Sequence, residues 1–290
     1  MIQASELIIN PDGSIFHLHL KPGQIADTIL LVGDQGRVDM IASFFDEIEH
    51  EVQNREFKTV TGWYNERHLS VLSTGIGTDN IDIVVNELDA LVNIDFNTRQ
   101  PKDMLTSLNL LRIGTSGSLQ AAIPLNSYVV SELSIGFDGL LNFYDGRDIV
   151  SDNEFEQLFM QHMQWNKKLA HPYVVSCSET LLNEIDGEEI IRGINISSPG
   201  FYGPQGRVLR LPLIDAQLNE KIASFDFIGK KITNYEMESS AIYGLSKLLG
   251  HEALTVCLII ANRPLGKANQ QYHPEMKQLV KYLLDRLAEA

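Results

Sequence analysis

Apolar residues along the chain form two kinds of pattern, short continuous runs and stretches with helical spacing. The continuous runs at 28–32, 69–73 and 108–113 predict buried strands. Five more segments show strand-like patterns, at 128–132, 173–178, 190–196, 231–235 and 254–261. Helical spacing predicts helices after the first two strands and near 154–170, 214–224, 237–249 and 274–289. This alternation over the whole chain predicts an α/β protein whose sheet carries helices on both faces.

Glycine-rich turns are expected after the first three strands. Gly33 and Gly36 flank a turn that leads into a helix near Arg37, and a second turn lies at 75–77. The third strand is expected to be closed by a turn at 114–117. Glycine lets a backbone approach a ligand closely, and free N–H groups at a helix start favour an anion.

Domain organisation is predicted to be simple. The 290 residues contain no repeat, no low-complexity tract and no linker-like change of composition, so a single domain, 1–290, is expected. The polar stretch 93–107, which contains Pro101, is expected to be a surface insertion. The apolar stripe of the last predicted helix is typical of core packing.

The charge and the cysteine content limit the partners. A formal net charge of −15 argues against nucleic acid and anionic membranes as partners, although a locally basic pocket can still bind a small anion. No segment is long enough to span a bilayer, and no secretory signal is visible. Cys177 and Cys257 lie in separate apolar runs and are expected to be buried, reduced thiols. Cytoplasmic residence is therefore expected.

The segment Asn-Tyr-Glu-Met-Glu-Ser at 234–239 joins a predicted strand to a predicted helix. Ligands of α/β proteins bind at such carboxyl ends of strands. Glu238 is therefore placed to accept hydrogen bonds from a vicinal diol, such as that of ribose, or to take a proton. Alternatively, Glu236 and Glu238 are acids that face the positive end of a helix dipole. The local residues leave both alternatives open.

Three arginines are candidate anion ligands. Arg37 and Arg112 each lie beside a predicted glycine turn at a strand end, and Arg55 is a third candidate. A guanidinium fork suits phosphate. Any one of them alone is better explained as a surface salt bridge, but two at such turns favour an anion site.

Several common motifs are missing. The run Gly75-Ile76-Gly77 follows a strand, but Asn80 stands where the dinucleotide pattern needs its third glycine. The sequence has no P-loop ending, no zinc-like spacing of His and Cys, and no nucleophile elbow.

A polar and aromatic turn at 201–207 offers groups for a planar ring. Phe201 can stack on such a ring, and Gln205 and Arg207 can hydrogen-bond the edge of a base. The alternative is an ordinary turn specified by glycine and proline. Arg263 follows the strand at 254–261, which is another ligand-facing position.

Six segments, taken in order, resemble the nucleoside phosphorylase superfamily and, within it, the uridine phosphorylases. They lie at 16–18, 31–38, 55–57, 73–77, 111–117 and 234–239. The resemblance implies a three-layer α/β/α sandwich with a central mixed sheet. The chain departs from the family pattern at Gln35, where proline is usual. It also departs at 203–207, which reads Gly-Pro-Gln-Gly-Arg where Pro-Gly-Gln-Glu-Arg is common. Asn80 stands near the position where some relatives have a serine that helps to bind an interface cation.

The resemblance implies reversible phosphorolysis, in which uridine and phosphate give uracil and ribose 1-phosphate. The catalytic residues are expected to be Arg37, Arg112, Glu238, Gln205 and Arg207. Phosphate is expected to be held by Gly33, Arg37, Arg112 and Thr115, with Arg55 of a neighbouring subunit. Ribose is expected to contact Met237 and Glu238, with His17 of that neighbour. The base is expected to contact Ser116, Gly117, Phe201, Gln205, Arg207 and Arg263.

The resemblance further implies a homo-oligomer built from dimers, expected to be a hexamer, with phosphate as co-substrate and no metal or cofactor. Uridine, and not a purine nucleoside, is the expected substrate, because residues 261–264 read Ala-Asn-Arg-Pro, whereas the related purine phosphorylases have an aspartate there. Purine phosphorolysis and a nucleosidase that uses water are the alternatives within the superfamily. A non-catalytic ligand-binding protein that kept the fold is the alternative outside enzymes.

Overall fold

The computed structural model describes residues 1–289. Its strands are β1 Thr28–Val32, β2 Glu47–Asn54, β3 Phe57–Tyr64, β4 Arg67–Ser73, β5 Ile94–Asp95, β6 Gln100–Pro101, β7 Asn109–Ser118, β8 Tyr128–Gly136, β9 Tyr173–Ser176, β10 Ile190–Ser197, β11 Asp226–Phe227, β12 Lys230–Glu236, β13 Glu252–Asn262 and β14 Lys267–Ala268. Its α-helices are α1 Gln35–Ala42, α2 Thr78–Asn93, α3 Arg147–Val150, α4 Asn153–Met163, α5 Glu179–Ile185, α6 Leu218–Ser224, α7 Ser239–Leu249 and α8 His273–Glu289. Short 3₁₀ turns lie at Leu140–Phe143 and Gly203–Gln205.

Twelve strands form one mixed sheet in the order β11-β12-β10-β8-β13-β7-β1-β4-β3-β2, with β14 paired to β13 and β9 paired to β8. All five residues of β1 are buried, as expected for a parallel strand with helices on both sides. One group of helices includes α2 and α7, and another includes α1, α5 and α8. The expected α/β fold with a central mixed sheet is confirmed.

An extra pairing bends one part of this sheet back on itself. The end of β12 pairs with the end of β7, where Asn234 faces Ser118 and Tyr235 faces Gly117. Because β12 also pairs with β10, the strands β7, β13, β8, β10 and β12 form a closed ring. This closure brings the carboxyl end of β12 beside the carboxyl end of β7, which positions the site described below.

The expected turn at 114–117 was wrong, because β7 runs without interruption to Ser118 and pairs with β13 over this stretch. Gly114 makes room instead for a side chain, because a Cβ there would clash with the guanidinium of Arg112. At Gly117, the same atom would make only an ordinary contact, 3.7 Å from Cδ of Arg263.

Other boundaries also differ from the expectations. The hairpin β2–β3 was not predicted, because β2 is an exposed edge strand with few apolar residues. Helix α4 ends at Met163, well before residue 170, since Gln164 adopts a left-handed φ of 50°. Within the expected insertion, β5 and β6 form a small hairpin and residues 101–107 are all exposed.

The apolar stripe of α8 is buried, as predicted. Among residues 1–289, no helix has the length and hydropathy needed to cross a membrane.

The hydroxyl of Tyr243 links α7 to two strands in the core. It donates to the carbonyl of Ser131 at 2.8 Å and accepts from the N–H of Thr255 at 2.8 Å. We expect Tyr243→Phe to lower the free energy of unfolding by about 1–3 kcal/mol, because buried polar groups lose a partner that water cannot replace. Urea unfolding measures this change. Tyr282→Phe, which removes a partly exposed hydroxyl, is the control and should change stability less; equal losses would contradict this account.

Candidate active site

A cavity of about 700 Å³ opens where β1, β7, β12 and β13 end. It contains eleven of the fourteen residues predicted to form a site. From β1, α1 and β7 come Gly33, Arg37, Arg112, Thr115, Ser116 and Gly117. From the turn at 201–207 and the junction after β12 come Phe201, Gln205, Arg207, Met237 and Glu238. The structure therefore brings most of the predicted residues together around one space.

A buried guanidinium with two carboxylates forms part of the wall of this cavity. Nη2 of Arg112 donates to Oε2 of Glu238 and lies 3.6 Å from Oε2 of Glu236. Oε1 of Glu238 accepts from the N–H of Gly77 at 2.7 Å, which ties the carboxylate to the start of α2. The arginine is 7% exposed and each glutamate 3%. Removal of Arg112 would therefore leave two carboxylates without a cation in a buried place.

The two glutamates have different roles in the structure. Glu236 accepts from the N–H groups of Glu238 and Ser239, at 2.9 and 3.0 Å, and from the hydroxyl of Ser197. The helix-dipole interpretation is thus right for Glu236, which holds the first turn of α7. Glu238 caps no N–H of its own helix and instead faces Arg112 and the cavity.

Burial and charge act in opposite directions on this cluster. Burial by itself would lower the pKa of Arg112, but the carboxylates of Glu238 and Glu236 outweigh it and raise that pKa. Burial raises the pKa of Glu238, and the charge of Glu236 adds to the rise, while Arg112 opposes it. Arg112 is therefore always a cation, and its charge favours the ionised form of Glu238 against the effect of burial.

Arg37 forms the second cationic point of the cavity. Its side chain extends from the first turn of α1, where Asp34 caps the helix by accepting from the N–H of Arg37 at 2.9 Å. Nη1 donates to the carbonyl of Ile113 at 3.3 Å, and Nη2 lies 3.1 Å from Oδ2 of Asp34. The carbonyl contact fixes the guanidinium beside β7, the strand that carries Arg112 and Thr115. Two guanidinium forks with a hydroxyl nearby form an arrangement suited to phosphate.

The turn at 201–207 forms the opposite wall. The guanidinium of Arg207 lies 3.8 Å above the ring centre of Phe201 and donates to the side-chain oxygen of Gln205. Arg263 donates to the backbone carbonyl of Gln205 and lies over the ring of Tyr235 at 5.3 Å. Burial lowers the pKa of both arginines, and Arg263 lowers that of Arg207 further.

Within residues 1–289, Arg207 and Arg263 lack a carboxylate partner within 4 Å, unlike Arg37 and Arg112. This wall therefore carries positive charge that the protein does not neutralise. A planar group that acquires negative charge would be stabilised there. Arg263 is not among the residues that line the cavity, so it acts on this wall from behind.

Ser116 has a role that its predicted place in the base pocket did not suggest. Its hydroxyl donates to the carbonyl of Tyr235 at 2.6 Å and accepts from Asn234 at 2.7 Å. It lines the cavity, but its hydroxyl hydrogen is committed to joining β7 to β12.

His17 and Arg55 do not line the cavity of their own chain. Asn54 donates to the carbonyl of His17 at 2.8 Å, and Arg55 lies 5.7 Å from the ring centre of Phe16, so the two predicted residues share one surface. Nδ1 of His17 lies 2.6 Å from Oε1 of Glu87. That they serve a neighbouring subunit stays a prediction.

Several lining residues had no role predicted from the sequence. Tyr235 lay inside the 234–239 motif without an assignment, and Asp34 and Ile76 lay inside the glycine turns. The segment 268–272 was missed entirely, because it reaches the cavity through the two-residue strand β14. Its amide-rich run, Asn-Gln-Gln, was the only local signal.

Both cysteines are predicted to be unreactive in the folded protein. Sγ of Cys257 lies 3.9 Å from Nη1 of Arg112, yet burial raises its pKa to about 12, and burial raises that of Cys177 to about 11. Because the thiolate is the reactive form, we expect a disulfide reagent at pH 8 to modify neither thiol quickly. The absorbance of the thiolate that the reagent releases should show two reactive cysteines per chain only after unfolding. One fast group in the native protein would contradict this prediction.

Comparison with known proteins identifies the family of this chain. Residues 27–289 match the family model described as the phosphorylase superfamily. A uridine phosphorylase of Thermococcus kodakarensis is 28% identical over 269 residues, which cover 90% of this chain and 83% of that protein. A purine nucleoside phosphorylase of the DeoD type from Alkaliphilus metalliredigens is 28% identical over 251 residues, covering 84% and 85%.

A solved structure has the same fold over almost the whole chain. The nucleoside phosphorylase of Trypanosoma brucei, described as showing uridine phosphorylase activity, superposes with a TM-score of 0.89 at 28% identity. The match covers 98% of this chain and 100% of that one. With the family model spanning nearly all of the sequence, this chain belongs to the phosphorylase superfamily.

Proposed function

We propose that this protein catalyses the phosphorolysis of uridine, giving uracil and ribose 1-phosphate. One observation carries the proposal: a single cavity places two arginines and the carboxylate of Glu238 opposite a Gln205–Arg207 wall. The Thermococcus and Trypanosoma relatives named above support the same activity.

In this proposal, phosphate binds to Arg37, Arg112 and Thr115, beside the backbone of Gly33. The ribose lies over Met237, and its diol donates to Glu238, a charge-assisted bond stronger than one between neutral groups. Breaking the glycosidic bond develops positive charge on the sugar and negative charge on the base. Phosphate held on the sugar side stabilises the positive charge on the sugar.

The base is proposed to lie between Phe201, on the turn at 201–207, and Ser116 and Gly117, on β7. Gln205 and Arg207 hydrogen-bond its polar edge and stabilise the uracil anion as it leaves, with Arg263 adding charge from behind. Preorganised charges of this kind are most effective where water is excluded, and Gln205 is buried.

Purine phosphorolysis is the second candidate, because the Alkaliphilus relative is as similar in sequence as the Thermococcus one. The end of β13 argues for a pyrimidine. It presents Ile260 and Ala261 to the cavity, while the amide of Asn262 donates at 2.7 Å to the carbonyl of Ile123. No carboxylate of β13 lines the cavity within the part of the chain that the structure describes, so a purine N7 would find no acid on this strand.

We further propose a homo-oligomer built from dimers, a hexamer, in which His17 and Arg55 complete a neighbour's site. Their position on one surface, outside their own cavity, supports this. The proposal includes cytoplasmic residence and phosphate as co-substrate.

A nucleoside panel tests the proposed function. Uridine, thymidine, inosine and adenosine are each incubated with and without phosphate, and the free base is measured by chromatography. We expect uracil release from uridine that depends on phosphate. Cleavage of inosine without cleavage of uridine would establish the purine alternative, and equal rates with and without phosphate would establish a nucleosidase.

A further inference from the structure

Asn219 lies in the first turn of α6, behind the wall formed by the turn at 201–207. It is partly buried and does not line the cavity. Nδ2 donates to the carbonyl of Gly206 at 3.2 Å, and Oδ1 accepts from the hydroxyl of Tyr235 at 3.1 Å. One amide therefore connects the residue between Gln205 and Arg207 to the strand β12.

The contact between Asn219 and Gly206 is close enough to decide which residue can stand at position 206. Gly206 has a left-handed φ of 67°, and an added Cβ would lie 2.8 Å from Cγ of Asn219. A side chain there would be both strained and in collision with the amide. The departure from the common family pattern at this position thus has a physical reason in this chain.

The helix that carries Asn219 and its partner Tyr235 are both packed in the core. Three residues beyond Asn219, Ile222 of α6 is fully buried and packs in a cluster with Ile232 of β12. Tyr235 is itself 2% exposed. The position of Asn219 is therefore set by the core, and the turn is held relative to that core.

We propose that Asn219 is a positioning residue for the base, which acts by holding Gln205 and Arg207 in their binding geometry. It touches neither the substrate nor the phosphate arginines. The inference rests on the proposed function, since it assigns those two side chains to the base. It is specific, because loss of the amide should weaken binding of the nucleoside and leave phosphate binding unchanged.

Steady-state kinetics of Asn219→Ala test this inference. We expect the KM for uridine to rise about tenfold, because roughly one hydrogen bond that holds the base-binding turn is lost. The KM for phosphate should stay within twofold of the wild-type value. Asn219→Asp is nearly isosteric and keeps the acceptor for Tyr235, but it turns a carboxylate oxygen toward the carbonyl of Gly206. It should raise the uridine KM at least as much. Glu220→Ala, at an exposed neighbour on the same helix, is the matched control.

The outcomes separate this inference from the proposed function. If the wild-type enzyme is active on uridine and both Asn219 variants keep its KM, or raise both KM values equally, the positioning role is overturned. If the panel identifies another nucleoside as substrate, the proposed function fails, and the same comparison is made with that nucleoside. Calorimetric titration with uracil gives a reading without turnover: weaker binding by Asn219→Ala than by the wild-type protein supports the role, and equal binding by the two opposes it.

Discussion

Replacement of Arg112 by alanine should reduce kcat/KM for uridine by about 10²–10³-fold, the scale found when a group that stabilises developing charge is removed. The guanidinium is expected to bind phosphate, and it also neutralises Glu238 and lies near Glu236. Its loss leaves two buried carboxylates without a cation, so we also expect the free energy of unfolding to fall by about 3–5 kcal/mol. Kinetics and thermal melting measure the two effects.

Two further variants separate catalysis from folding. Arg112→Lys keeps a positive charge and should recover most of the stability, but an ammonium lacks the planar fork needed to contact Glu238 and phosphate together, so activity should stay low. Arg192→Ala, at an exposed arginine paired with Asp186, is the control and should alter neither property appreciably. An Arg112→Ala enzyme with normal activity would contradict the assignment of the site.

Replacement of Glu238 by glutamine should lower kcat/KM for uridine by about 10- to 100-fold. The carboxylate is expected to accept from the ribose diol, and a hydrogen bond to a charged group contributes about 1.5–3 kcal/mol. The amide keeps the size and one acceptor oxygen, which can still receive the N–H of Gly77. Its other end would present N–H donors to the sugar or to Arg112, where the native carboxylate accepts.

The comparison of uridine with 2′-deoxyuridine shows whether this loss comes from the diol. Disturbance of Arg112 should affect both substrates equally, whereas loss of the bond to the 2′-hydroxyl affects uridine alone. We therefore expect Glu238→Gln to reduce kcat/KM more for uridine than for 2′-deoxyuridine. Equal reductions would assign Glu238 to the support of Arg112 only. Glu236→Gln, at the residue that holds the first turn of α7, should leave the ratio between the two substrates unchanged.

The parts of the fold predictable from sequence were those with a strong local pattern. The continuous apolar run of β1 and the helical spacing of α2 and α8 each specify an element without help from distant residues. The hairpin β2–β3 lacked such a pattern, because an edge strand exposes most of its side chains. The segment 114–117 looked like a turn from its two glycines, although pairing with β13 keeps it extended.

The candidate site was predictable as a set of residues but not as a geometry. Arg37, Arg112 and Glu238 were identified by their positions at the ends of strands and by resemblance. The approach of Glu238 to Arg112 accompanies the pairing of β12 with β7, which joins residues more than 100 positions apart and leaves no local trace. The contact between Glu238 and Gly77 and the contacts of Asn219 with Gly206 and Tyr235 also join residues distant in sequence and leave no local trace.

The central claim is that phosphate, and not water, takes the ribose from the base. ³¹P NMR of a reaction with uridine tests this directly, with uracil measured in the same samples by chromatography. We expect each uracil released to consume one inorganic phosphate and to produce one sugar phosphate ester. Release of uracil with the inorganic phosphate signal unchanged, or no release of uracil at all, would contradict it.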